Sequence, residues 1–283
     1  MQIGKYEVHP LETGRFALDG GAMFGVVPRS LWEKAHPPDE KNRITMSARA
    51  LLLVGDGRRV LIDTGNGSKL SEKLRSIYRI ETGGSSLTSS LARHGLKPED
   101  ITDVILTHLH FDHVGGSTVR AGVAVVPAFP NARYYVQRGQ YEAALNPTER
   151  DRASFLPEDF RLLGDEGLLE FTEGEGEILP GIEVKVFHGH TTALQAPYIN
   201  DGRTSLLFCA DLIPLAAHVS LPWIMAYDLR PLVTLEEKRK TLETAAEEGW
   251  ILFFEHDPVQ VCGRVKRGEK GFILESVLRT SDM

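Results

Sequence analysis

The stretch Thr107-His108-Leu109-His110-Phe111-Asp112-His113-Val114-Gly115-Gly116 places three histidines and an aspartate within six residues, at the end of a predicted strand. An extended chain directs residues two apart to the same side, so His108 and His110 share a face. Asp112 and His113 lie beyond the strand and can face a second point nearby. Imidazole and carboxylate together suit zinc and similar borderline metals, not calcium or magnesium. Grouped in one place, they would require costly desolvation unless an ion bound them, so this run predicts a metal site.

The same residue types recur further along the chain. His190, Asp211 and His256 each follow an apolar segment that is predicted to be a strand. Side chains at the ends of different strands can converge on one rim of a sheet. Two clusters that share a carboxylate would form a two-metal site, with the ions roughly 3.5–4 Å apart.

The rest of the chain alternates predicted strands with predicted helices. Residues 146–181 are richer in Pro, Gly and Glu, which predicts a loop-helix excursion over one face. We find no linker long or polar enough to separate two autonomous domains, so residues 1–283 are predicted to form a single domain. Strands are predicted at residues 48–54, 59–63, 101–107, 133–136, 182–187, 205–210 and 251–254, and helices at residues 85–94 and 235–248.

Composition narrows the class of protein. Of the 283 residues, 42% are hydrophobic and 25% are charged, and the net charge is −7. This acidic balance argues against a nucleic-acid partner. Two cysteines, Cys209 and Cys262, cannot build a disulfide framework. The N-terminus lacks a secretory signal, and no apolar run approaches the ~20 residues of a membrane span. We therefore expect a cytoplasmic protein without a membrane partner.

The histidine run resembles the signature of the metallo-β-lactamase superfamily. Four further motifs of that family match in order: Ile62-Asp63-Thr64-Gly65, Gly189-His190-Thr191, Ala210-Asp211, and finally His256. The resemblance covers nearly the whole chain. It implies an α/β fold, the αβ/βα four-layer sandwich, in which two sheets lie face to face with helices outside and metals at one edge.

The resemblance also implies a ligand set for two divalent ions. Zinc is the first expectation, and iron, manganese and cobalt tolerate the same ligands. Asp63 would orient a ligand histidine, unless it is simply a turn residue before Gly65. One ion would be bound by His108, His110 and His190, and the other by Asp112, His113 and His256, with Asp211 bridging.

The third motif departs from the family pattern. Relatives often read Gly-His-Thr-Pro-Gly-His, whereas this chain reads Gly189-His190-Thr191-Thr192-Ala193-Leu194. The ligand His190 is kept and the second histidine is lost, which puts the local shape of the pocket in doubt. His188 is a possible substitute ligand, although it comes two residues early.

Three segments together resemble the branch that holds N-acyl homoserine lactonases and methyl parathion hydrolase. They are Asp19-Gly20-Gly21-Ala22-Met23-Phe24-Gly25-Val26-Val27-Pro28, His218-Val219-Ser220-Leu221-Pro222-Trp223 with Tyr227-Asp228, and Asp63-Thr64-Gly65-Asn66-Gly67. Met23 and Phe24 would form an apolar wall over the metals, unless both are ordinary core residues. His218 would donate to the substrate, unless it is a packed loop histidine. A homodimer through the N-terminal loops is also implied.

These features predict a dinuclear-metal hydrolase that opens N-acyl homoserine lactones or related lactones, with a role in quorum quenching. Two cations would lower the pKa of a bridging water from about 15.7 towards ~7, and the resulting hydroxide would attack the carbonyl carbon. Asp211, Asp112 and His218 are the predicted catalytic residues, with Asp112 returning a proton to the leaving alkoxide. Cys209 is expected to be a small buried residue and not a nucleophile.

Other readings use the same ligands. A thioesterase like glyoxalase II, or a phosphotriesterase or other phosphoester hydrolase, would act on a different small-molecule ester. A flavodiiron oxidoreductase would need a carboxylate in place of the second histidine of the run and an attached flavin domain. A non-catalytic metal-binding module would be expected to have lost ligands, whereas all seven are present.

Overall fold

The computed structural model describes residues 1–81 and 85–282. In chain order, the strands are β1 Gln2–Ile3, β2 Tyr6–Asp19, β3 Arg43–Gly55, β4 Arg58–Ile62, β5 Asp103–Ile105, β6 Thr118–Ala121, β7 Ala124–Pro127, β8 Arg133–Gln137, β9 Leu169–Thr172, β10 Gly176–Leu179, β11 Ile182–Phe187, β12 Leu194–Asn200, β13 Ser205–Phe208, β14 Ile251–Phe253, β15 Gln260–Gly268 and β16 Gly271–Arg279. The α-helices are α1 Gly20–Phe24, α2 Arg29–Trp32, α3 Glu72–Ile77, α4 Leu87–Arg93, α5 Phe111–Val114, α6 Arg138–Leu145, α7 Pro157–Asp165 and α8 Pro231–Glu248.

Within these residues the strands form two seven-stranded sheets. The first has the order β1-β2-β3-β4-β5-β8-β9 and the second runs from β10 to β16 in sequence order, while β6 and β7 form a separate hairpin. The predicted hairpin is confirmed, because β3 and β4 are antiparallel with Gly55 opposite Arg58. Asp56 and Gly57 make its turn, both with positive φ, which is the backbone conformation that two-residue hairpin loops require.

Strand β3 illustrates how the layers form, because successive side chains of a strand point to opposite faces. Leu51 and Leu53 belong to the core between the sheets, together with Leu207 and Phe253 of the second sheet. Leu52 belongs instead to a second cluster, in which helices α4, α6 and α7 cover the first sheet. Helix α8 packs against the second sheet at β15. The predicted four-layer αβ/βα sandwich is confirmed.

The helices predicted from their terminal signals begin and end close to the expected residues. Helix α4 starts after Ser86, whose side chain accepts from the backbone N–H of Ser89. Helix α8 begins four residues earlier than predicted, because Pro231 is well suited to the first helical turn. It ends at Gly249, whose φ of 70° is the left-handed conformation that favours glycine.

The predicted excursion over residues 146–181 is wrong in part. Helix α7 lies there, but so do β9 and β10, which are edge strands of the first and second sheets. β9 runs parallel to β8 with Leu169 opposite Tyr134. Both strands have only four residues and are partly polar because their outer edges face solvent. In β9 and β10 the alternation of apolar and polar residues is therefore too short and too polar to predict a strand from the sequence.

Strand direction explains how the site forms. β4, β5 and β8 are parallel, as are β13 and β14, so their C-terminal ends share an edge.

Within the described part of the chain, none of the helices combines the length and the apolar character that crossing a membrane requires.

Candidate metal centre

The edge formed by the C-terminal strand ends carries the residues of the predicted site. Asp63 follows β4 directly, and the histidine run follows β5. In the second sheet, His190, Asp211 and His256 come just after β11, β13 and β14. All seven predicted metal ligands are buried and lie at this edge.

The first cluster consists of His108, His110, His190 and Asp211. One ligand atom from each lies within 4.8 Å of every other. His110 Nδ1 lies 3.1 Å from His108 Nε2 and 3.2 Å from His190 Nε2. Asp211 Oδ2 lies 3.1 Å from His190 Nε2. The structure thus brings these four predicted ligands together around one point.

The second cluster consists of Asp112, His113 and His256, whose ligand atoms also lie within 4.8 Å of one another. His256 Nε2 is 3.1 Å from His113 Nε2 and 3.7 Å from Asp112 Oδ2. The other oxygen of Asp211, Oδ1, lies 3.1 Å from His256 Nε2 and 3.6 Å from His113 Nε2. One carboxylate therefore faces both clusters, as a bridging ligand must.

The ring nitrogens that face away from the clusters are mostly held by hydrogen bonds. His113 Nδ1 pairs with Asp63 Oδ2 at 3.0 Å, and His190 Nδ1 pairs with Asp228 Oδ1 at 2.9 Å. His256 Nδ1 is 2.9 Å from the carbonyl oxygen of Ser47. Such contacts fix the orientation and the tautomer of each ring, so its other nitrogen is directed into the cluster. Asp63 thus lies where its predicted orienting role requires.

The carboxylate of Asp63 is itself held in place by hydrogen bonds. Thr107 donates to it twice, from its backbone N–H at 2.8 Å and from its hydroxyl at 2.6 Å. Asp63 has a φ of 56°, and Ala210, the residue before Asp211, has a φ of 45°. Left-handed backbone at residues other than glycine is strained and often occurs at functional sites.

The charges of the site indicate that it accommodates cations. Five acidic side chains are buried around two small groups of histidines: Asp63, Asp112, Asp211, Asp228 and Glu255. Asp211 Oδ1 and His110 Nε2 have no hydrogen-bond partner among the described residues. Several buried acidic groups close together are strongly unfavourable, and divalent cations would balance them. The donor set of imidazole nitrogens and carboxylate oxygens fits such a cation, so this cluster is able to bind metal.

Protonation states follow from the same burial. Burial, with the neighbouring His113 and His110, lowers the pKa of His108 well below its usual value. Burial and His190 do the same to the pKa of His110. Both rings therefore carry the free lone pair that metal binding requires. Against the effect of burial, Asp211 and Asp228 raise the pKa of His190 to about 10, so cation binding there would release a proton.

A pocket of about 340 Å³ opens over the two clusters. Its floor is formed by residues of the clusters themselves. The rest of its lining combines apolar and polar side chains. The apolar ones include Leu18, Met23, Met46 and Met225, and the polar ones include Tyr78, Arg150 and Tyr227.

The structure separates the residues that were predicted to contact substrate. Met23 lines the pocket, whereas Phe24 lies behind it and stacks between Trp32 and His218, with ring centroids 5.2 Å from each. His218 is fully buried and its Nε2 lies 2.9 Å from the carbonyl oxygen of Met23. Phe24 and His218 thus lie behind Met23, which lines the pocket. Their contact with substrate stays a prediction.

The alternative ligand His188 lies outside both clusters. It is exposed, and its Nδ1 accepts from the backbone N–H of Ala193 at 3.2 Å. Ala193, which stands where relatives often have glycine, has a φ of 55°. The departure in the third motif is therefore accommodated by a strained alanine, and His190 keeps its place.

Several residues of this site were not assigned a role from the sequence. Asp228 and Glu255 lie behind ligand histidines, and Tyr78 and Arg150 line the pocket. For Asp228 a weak signal existed, since Tyr227-Asp228 was part of the lactonase-like segment. Glu255 adjoins His256 but belongs to no motif. Burial raises the pKa of Glu255 to about 8, although His113 opposes the shift.

Comparison with known proteins decides the family. The family model of the metallo-β-lactamase superfamily matches residues 45–256. The chain belongs to the metallo-β-lactamase superfamily. The resemblance to the superfamily seen in the five motifs is thereby confirmed, and proteins that this chain matches are named N-acyl homoserine lactonases.

Three similar proteins indicate the range of similarity. The N-acyl homoserine lactonase AiiA of Bacillus thuringiensis subsp. kurstaki is 29% identical over 175 residues, which cover 60% of this chain and 62% of that protein. A probable metal-dependent hydrolase from Staphylococcus aureus is 30% identical with a TM-score of 0.88, and the match covers 98% of this chain and all of that one (100%). AidC, a dizinc quorum-quenching lactonase, is 21% identical with a TM-score of 0.81 over 98% of this chain and 96% of its own, which indicates a shared fold.

Proposed function

We propose that this protein is a metal-dependent hydrolase that opens N-acyl homoserine lactones or related lactones, using two divalent cations, zinc in the first instance. The observation that carries the proposal is the carboxylate of Asp211. Its Oδ2 lies 3.1 Å from His190 of one cluster and its Oδ1 lies 3.1 Å from His256 of the other. Two donor clusters joined in this way at the floor of a pocket suit hydrolysis by a pair of cations.

When bound, the two cations would supply an activated water and a positive field for the carbonyl oxygen of the ester. Asp63, Asp228 and the Ser47 carbonyl hold the outward ring nitrogens of His113, His190 and His256, so the other nitrogen of each ring is directed into its cluster, where it would bind a cation. Since the ligands come from both sheets, the sandwich fixes the spacing of the clusters before any substrate arrives.

Asp112 is the proposed proton carrier. It lies in the second cluster and also lines the pocket, so its carboxylate is within reach of both water and substrate. In lactone opening, the oxygen of water bonds to the carbonyl carbon and the ring C–O bond breaks. Asp112 would take the proton from water and return it to the ring oxygen, which leaves as the hydroxyl of a hydroxy acid.

The pocket supports an acyl substrate. Its volume of about 340 Å³ accommodates a small molecule, and Met23, Met46 and Met225 offer flexible apolar surface to an acyl chain. The hydroxyl of Tyr227, which also lines the pocket, can donate a hydrogen bond to the polar head. Burial raises the pKa of Tyr227, so this hydroxyl stays protonated at neutral pH.

The test is hydrolysis by zinc-loaded protein of three substrate classes: homoserine lactones of varied acyl length, an aryl thioester and an aryl phosphotriester. We expect the lactones to have the highest kcat/KM. Asp211→Asn, which keeps the shape and removes the bridging charge, should abolish activity and reduce metal content. Preference for the thioester or the phosphotriester would replace the lactonase assignment, and failure on all three would refute the proposal.

A further inference from the structure

Glu255, the residue before His256, is a buried acid that the ligand scheme leaves without a role. Its side chain is fully buried, and neither carboxyl oxygen has a hydrogen-bond partner among the described residues. Glu255 Oε2 lies 3.1 Å from Nδ1 of His113. A buried carboxyl group in this state requires compensation from charge nearby.

Glu255 is not needed to orient the ring of His113. The N–H of that ring is already directed at Asp63, whose carboxylate is held by the two bonds from Thr107. Glu255 lies beside this hydrogen bond, and a cation bound by His113 would favour the ionised form of its carboxyl group, which places negative charge next to the imidazole. Its contribution is therefore electrostatic.

The two clusters differ in this respect. Behind the first cluster stands one acid, Asp228, at 2.9 Å from His190 Nδ1. The outward nitrogen of His108 lies 3.1 Å from the hydroxyl of Thr107. Behind the second cluster, two fully buried acids, Asp63 and Glu255, face the same nitrogen of His113.

We propose that Glu255 is a positioning residue for metal: its charge acts through His113 to strengthen the binding of the cation held by Asp112, His113 and His256, and makes that cluster the tighter of the two. This inference rests on the proposed two-cation site. An acid behind a ligand histidine makes the ring a stronger donor, and replacing such a partner typically weakens metal binding about 10–100-fold.

The experiment compares two nearly isosteric variants. Glu255→Gln removes the acid behind His113, and Asp228→Asn is the matched control behind His190. Zinc-loaded proteins are dialysed against graded chelator, the ions per chain are counted by mass spectrometry, and anomalous scattering from crystals gives the occupancy of each cluster. We expect Glu255→Gln to lose the ion of the second cluster at about 10–100-fold lower chelator strength than wild type. Asp228→Asn should lose the other ion first.

Three results would overturn the inference. One is a Glu255→Gln protein that retains both ions as wild type does. Another is equal loss of both ions together with a lower Tm of the metal-free variant, which would indicate a merely structural role. The third is a Glu255→Asp protein that retains the second ion no better than Glu255→Gln, although it keeps the charge. Wild-type protein that holds fewer than two ions would instead contradict the proposed function, which is a separate result.

Discussion

Replacing Lys69 with methionine tests how the backbone after the histidine run is held in place. Lys69 Nζ lies 2.9 Å from Asp159 Oδ1 and donates to the carbonyl oxygens of Gly115 at 2.5 Å and Thr118 at 2.7 Å. Both charged side chains are almost fully buried. Methionine keeps the length of the side chain but removes the charge and all three donated contacts.

The magnitude follows from what the variant leaves unpaired. Removing one partner of a buried ion pair typically costs about 3–5 kcal/mol, and an unpaired buried carbonyl costs about 1–3 kcal/mol. Because these losses share one nitrogen and are not additive, we expect the free energy of unfolding to fall by about 4–6 kcal/mol. At about 2 °C per kcal/mol for a chain of this size, Tm should fall by about 8–12 °C.

The effect should depend on pH in a defined direction. Burial raises the pKa of Asp159 to about 6, although Lys69 opposes the shift, so the variant should raise it further. The unfolded value is about 3.9, so the folded protein binds the proton more tightly. Stability from this group is present below about pH 4 and is lost as pH rises through about 6. The deficit of the variant relative to wild type should therefore be smaller at pH 5 than at pH 8.

Thermal and urea unfolding of the metal-free proteins at both pH values is the assay. The control is Lys69→Met combined with Asp159→Leu, which removes the orphaned acid and should recover part of the lost stability. A deficit below about 1 kcal/mol, or one that is equal at pH 5 and pH 8, would refute this reasoning.

Three further changes give distinct outcomes. In Gly189→Ala the new Cβ would lie 2.3 Å from Thr234 Oγ1 and 2.4 Å from the backbone nitrogen of Thr234, so the neighbouring His190 must shift. We expect kcat/KM to fall about 100-fold. In the control Gly139→Ala the new Cβ has its nearest neighbour at 3.5 Å, so kcat/KM should not change. Burial lowers the pKa of His218 to about 3, so the wild-type protein should lose stability as pH falls below about 6.5. His218→Gln should therefore make Tm depend less on pH in this range. An unchanged slope of Tm against pH would contradict this prediction. Tyr227→Phe should lower kcat for a lactone about tenfold with unchanged metal content, and unaltered kcat would remove Tyr227 from the proposed reaction.

The metal-ligand residues of the two clusters could be predicted because short segments of sequence contain the histidines and aspartates typical of a metal site. His108, His110 and His113 stand in one run, and His190 and His256 follow apolar segments that form strands. Each of these residues follows a strand, and the ends of those strands meet at one edge of the two sheets. The bounds of most predicted strands differ from the observed ones by a few residues at most.

The residues that the sequence did not assign act through tertiary contacts. Glu255 is an acid beside a histidine, a pattern that usually belongs to a solvated surface, and only the fold brings it to His113. Met23 and Phe24 are neighbours of the same chemical character and both pack in one core cluster, yet Met23 also lines the pocket whereas Phe24 lies behind it. The edge strands β9 and β10 are too short and polar for their pattern to predict them.

The central claim is that two cations share the carboxylate of Asp211. Zinc titration of the metal-free protein, with bound ions counted per chain, tests it most directly. We expect two ions per wild-type chain, and fewer than two in Asp211→Asn. A wild-type chain that saturates with a single ion, or with none, would contradict the account.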